Sequence, residues 1–144
     1  MVNEDTRKLL EECCSGIKMG VDSIAQVLPS VKDERMKTVL EQCKEAHQQL
    51  GSETHALLNE LGEPGKSPNP MAKGMSWIKT NVMLAVNESD GTVADLMTDG
   101  CDMGTKSLHR YLNQYPAADG RVRGITKRLV KLEEGLRDDL RQYL

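Results

Sequence analysis

The stretch from Met36 to Leu61, MKTVLEQCKEAHQQLGSETHALLNEL, decides the fold. Its positions Met36, Leu40, Cys43, His47, Leu50, Thr54, Leu57 and Leu61 advance by steps of four and three throughout, which lays one unbroken stripe along a long helix. Upstream, Leu10, Cys14, Ile17, Val21, Ile24 and Leu28 repeat the same rhythm. That helix opens on Asn3, a cap residue followed by Glu4 and Asp5, where the helix dipole favours negative charge. Pro29 closes it, and Ser30, with Asp33 three residues on, is expected to cap the helix of the opening stretch.

Downstream, Gly62 and Pro64 stop that helix, and GEPGKSPNP (62–70) holds too many breakers for anything but a connector. Asn69 and Pro70 restart a shorter helix bearing Met71, Met75, Ile78, Val82 and Ala85, with Trp77 beside the stripe. Ser89, Asp90 and Gly91 interrupt it before a helix carrying Val93, Met97, Cys101, Gly104, Leu108, Tyr111 and Tyr115. After Pro116, Asp119 caps a last helix with Val122, Ile125, Leu129, Leu132, Leu136, Leu140 and Tyr143. The expected helices are therefore 4–28, 31–61, 70–87, 91–115 and 119–143 in a single domain, 1–144, with no strand pattern. Links of a few residues make the first two long helices one antiparallel hairpin and the last two another. The long link between them, with its own helix, has the reach to climb the bundle and make the second and third long helices parallel.

Composition narrows the function. With 144 residues, 38% of them hydrophobic, the chain can bury a core without disulfides, so Cys13, Cys14, Cys43 and Cys101 need not be bridged. The longest apolar run, Val82 to Val86, excludes a membrane span by helix. The opening MVNEDTRKLL lacks the basic-then-apolar pattern of a secretory signal, so a cytoplasmic location is expected. A net charge of -3 argues against nucleic-acid binding, which needs concentrated Lys and Arg.

Four segments carry a family resemblance: LLEECCSGIKMG in the first helix, LEQCKEAHQQLGSETHALLNELGEPG in and after the second, the Trp of GMSWIKT, and LHRYLNQYP. In these the chain resembles bacterial ferritin-like domains of unknown function related to rubrerythrins. The resemblance implies an all-α, ferritin-like four-helix bundle with a long crossover. Metal-binding members set inward Glu residues and Glu-x-x-His pairs on the bundle helices. This chain departs from that: Lys44, Ser52 and Lys106 stand three residues before His47, His55 and His109. Cys101 and Gly104 occupy positions where such relatives carry Glu, and Glu133 and Glu134 are followed by Leu136 and Arg137. Di-iron chemistry is not expected.

One constellation remains. Cys43 and His47 lie one turn apart on the inward stripe, and levelling the helices from their turns brings Cys14, His47, Cys101 and Glu134 to one height. Thiolates and imidazole suit zinc or another transition metal, so Cys14, Cys43, His47, Cys101 and Glu134 are the candidate ligands. The plainer reading is a satisfied core histidine among buried cysteines, which behave as small hydrophobes. A redox thiol pair is disfavoured, because adjacent Cys13 and Cys14 point about 100° apart and no Cys-x-x-Cys occurs.

On the last helix, Arg121, Arg123, Lys127, Arg128 and Lys131 give way to Glu133, Glu134, Asp138 and Asp139, which reads as a solvated face with pairs such as Glu133 and Arg137. Gly16 with Gly20 and Gly100 with Gly104 mark close crossings or room for a bulky neighbour. The Met-rich crossover face of Met71, Met75 and Met83 is read as core, with a self-association surface as the next choice. The expected protein is a structural or interaction module, not an enzyme, with no cofactor and with a homodimer as its partner state. Metal binding or thiol redox chemistry at the bundle centre is the alternative.

Overall fold

The computed structural model describes residues 2–62 and 88–144. The expected crossover helix at 70–87, with Trp77 and its methionines, lies outside the described residues. The rest is helical: α1 (Glu4–Val27), a 3-10 turn (Leu28–Ser30), α2 (Glu34–Glu60), α3 (Asp90–Gln114), α4 (Gly120–Leu140) and a final 3-10 turn (Arg141–Tyr143). No strand occurs among the described residues.

Caps fix where these helices begin. Asn3 accepts from the Thr6 amide at 2.8 Å, Ser89 from Thr92 at 3.1 Å, and Asp119 from Arg121 at 2.8 Å. The start of α2 differs from expectation. Asp33, not Ser30, is its cap, accepting from the Met36 amide at 2.9 Å. Ser30 is held in the 3-10 turn that Pro29 opens, and its hydroxyl donates to Glu88 at 3.0 Å. At the far end of α2, Gly62 takes φ +73°, a left-handed conformation that favours glycine.

Contacts between the two ends of the chain's hairpins establish the topology. The amides of Lys32 and Asp33 donate to the carboxylate of Asp90 at 2.8 and 3.0 Å, so α2 and α3 start at the same end and run parallel. At the opposite end Asn3 donates to the Ala117 carbonyl, the Ala117 amide donates to Asp5, and the Asp119 amide donates to Thr6, all at 2.8 to 2.9 Å. Arg121 pairs there with Glu60 at 2.8 Å, joining the ends of α2 and α4. Around the bundle α1 packs on α2, α2 on α4, α4 on α3 and α3 on α1. The long connection between parallel α2 and α3 is the one expected from the sequence.

Candidate functional site

The core is not continuous. One apolar cluster, including Ile24, Leu40, Met97 and Leu136, fills the end where α2 and α3 begin. A second, including Leu10, Leu57, Leu112 and Leu129, fills the other end. On every helix the gap between them falls at a polar or missing side chain: Gly20 on α1, His47 on α2, Gly104 on α3 and Glu133 on α4. This layer is the waist of the bundle.

Two glycines make room for its two large polar groups. A Cβ at position 20 would lie 2.7 Å from Cδ2 and 2.8 Å from Nε2 of His47, so only glycine lets the ring seat against α1. A Cβ at position 104 would lie 2.8 and 2.9 Å from the two carboxyl oxygens of Glu133. His47 is 0% exposed and Glu133 1% exposed. The His47 Nδ1–H donates to its own helix at the Cys43 carbonyl, 2.8 Å away, and a carbonyl can only accept, so Nε2 carries the lone pair. Burial pushes the imidazole below its ordinary pKa of 6.5, against the smaller upward effect of that bond. Glu133 is treated differently. Its Oε2 has no hydrogen-bond partner among the described residues, and burial alone drives its carboxyl well above the ordinary 4.5.

Three thiols border the waist. Cys13 is buried, and its Sγ lies 2.9 Å from Thr126 Oγ1. Because that hydroxyl donates to the Val122 carbonyl at 2.8 Å, the thiol is the donor. Cys43 Sγ stands 3.6 Å from His47 Nδ1 at the edge of the first cluster, and Cys101 is buried within that cluster. Burial raises all three thiols, Cys13 and Cys43 to about 12, and Glu133 pushes each further up. They are protonated near neutral pH and are not activated nucleophiles.

Of the candidate ligands, His47 and Cys101 from the expected layer and Cys43 beside it come to the waist or its border. Cys14 does not: it is half-buried at the edge of the second cluster, its thiol raised to about 11 by burial, while Cys13 points inward. Glu134 is half-buried, and the buried acid is its neighbour. Among the described residues no three His, Cys, Asp or Glu side chains form a group that could hold a metal ion. The expected Glu133–Arg137 pair on a solvated face is also corrected, because Arg137 pairs with Asp102 and Asp138, both at 3.3 Å, while Glu133 turns into the core. The signal for Glu133 was in the sequence. Leu129, Glu133, Leu136 and Leu140 keep the four-three rhythm, as does the half-buried Leu132 chosen in its place.

No family model matches the chain, and no curated protein does. Among solved structures, the fold is similar to the crystal structure of a DUF305 fragment from Deinococcus radiodurans, with a TM-score of 0.74, 13% sequence identity, and 98% of this chain and 95% of that one covered. At that identity the likeness shows the helical-bundle fold alone.

Proposed function

We propose that this chain, with the ferritin-like descent its sequence suggests, is a structural or protein-interaction module that pairs with a second copy through the seam between α2 and α4 and carries out no di-iron or thiol chemistry. The observation that carries this reading is where its recesses lie. Two neighbouring hollows of about 320 and 240 Å³ share Ala46, Lys131 and Leu132, and continue over Val39 and Cys43 along the seam. Arg128 stands at the rim and grips Glu53 with two bonds of 2.8 Å across the helix pair. An apolar floor with a charged rim is the anatomy of a contact surface. Cys43, which lines the floor, keeps its proton, so the seam offers grease rather than reactivity. Among the described residues no helix is long and apolar enough to cross a membrane.

Light scattering on purified protein tests this. The expected result is the mass of a dimer that falls to that of a monomer on Ala46→Glu, with the helical signal unchanged. A wild-type monomer over the whole accessible concentration range would overturn the pairing.

A further inference from the structure

Glu133 is poorly accommodated: a carboxyl 1% exposed, with one oxygen lacking any partner among the described residues, seated against a glycine backbone in the gap between two apolar clusters. A purely packing role would be filled better by Leu or Gln, since a buried carboxylate without a cation costs several kcal/mol. We propose that Glu133 is a proton-operated latch: with its proton in place the four helices close on the waist, and loss of that proton loosens the seat of α4 on Gly104 of α3.

Among the described residues, no group that faces it from a neighbouring helix is a cation that would stabilise the anion. From α1 it faces the Cys13 thiol, from α2 the Cys43 thiol with His47 one turn further along, and from α3 the Cys101 thiol. The thiols are neutral, and His47 is held neutral by its own burial. On its own helix Arg137, one turn on, is engaged with Asp102 and Asp138 at the surface, and Lys131 is exposed. Asp102 and Asp139 act on the flanking thiols and add only negative charge. The carboxyl therefore resists ionisation, in keeping with the upward push of its burial. The sign follows. An acid whose folded pKa exceeds its unfolded value of 4.5 leaves stability intact below that value, and stability falls as pH rises until the folded acid itself ionises.

The test is denaturant unfolding of the wild type and of Glu133→Gln across pH, read as the ratio of their unfolding constants, which cancels every other titrating group. The expected ratio moves against the wild type as pH rises above 4.5, by up to roughly tenfold per pH unit for as long as the folded carboxyl keeps its proton, and levels off above that. A ratio that stays flat as pH rises overturns the latch. Infrared spectroscopy of the wild type at neutral pH keeps the decision open to a second measurement should Glu133→Gln fail to fold. A protonated-carboxyl stretch that shifts with ¹³C-glutamate labelling supports the proposal, and its absence overturns it.

Discussion

The two halves of the waist solve one problem in opposite ways. His47 and Glu133 are both buried, and each is let in by a glycine on a neighbouring helix, yet the histidine closes its proton-bearing nitrogen onto its own backbone while Oε2 of the acid has no such bond among the described residues. A base enters a core neutral by giving up a proton that water readily takes. An acid enters neutral only by keeping one, so its seat depends on pH from the alkaline side. Glycine supplies room in both places, but the ring is rigid and the carboxyl is the end of a flexible chain.

That contrast can be broken most forcefully at Gly20. Gly20→Ala puts a methyl within 2.7 Å of a ring that cannot fold away, and after the gain of about 1 kcal/mol in helix propensity the net loss should be about 2 kcal/mol by denaturant unfolding. Adding His47→Ala should recover most of the clash, which a double-mutant cycle would register as strong coupling. Additive losses would show that the glycine is not there for the ring.

The next effect is on the acid side and sharpens the comparison. His47 has a lowered folded pKa, so its contribution is whole above 6.5 and is lost as pH falls below it, because the unfolded chain takes up a proton that the folded one refuses. Relative to His47→Gln, the wild type should lose about 1.4 kcal/mol per pH unit below 6.5 until the folded ring protonates. An unchanging difference between the two proteins would mean that the ring gains compensation on protonation.

The smallest effect is expected at Gly104. Gly104→Ala meets carboxyl oxygens that can swing aside, and the added helix propensity offsets much of the strain, so the change should stay within about 1 kcal/mol in thermal unfolding at acid pH. A loss as large as that at Gly20 would mean the carboxyl is fixed as firmly as the ring.

Much of this was readable without coordinates, and the exceptions have physical reasons. The stripe of α2 was legible because its inward residues follow one rhythm with no competitor, and all but Cys43 and Leu61 are buried. On α1 the rhythm admitted two phases. Leu9, Leu10 and Cys13 point inward together, so a stripe drawn through Leu10, Cys14, Val21 and Leu28 runs one residue off the buried Cys13, Gly20 and Val27. The cap of α2 was ambiguous because Ser30 and Asp33 are both cap residues, and the choice turned on Pro29, which winds the chain into a tighter turn that uses up Ser30. The glycines were legible as room for a large neighbour, though not which neighbour, since that depends on a partner helix. Glu133 was hidden by Arg137, four residues on, whose spacing invites a surface pair that local rules alone would favour.

The carboxylate of Asp90 holds the turn before α2 while Asp5 and Thr6 hold the turn before α4, so the rods are pegged to one another at both tips. Pressure generated midway cannot escape by lengthwise slip or by fraying. It must bow the staves outward like a cask around its middle hoop, and amide exchange on raising the pH should quicken first halfway along each rod.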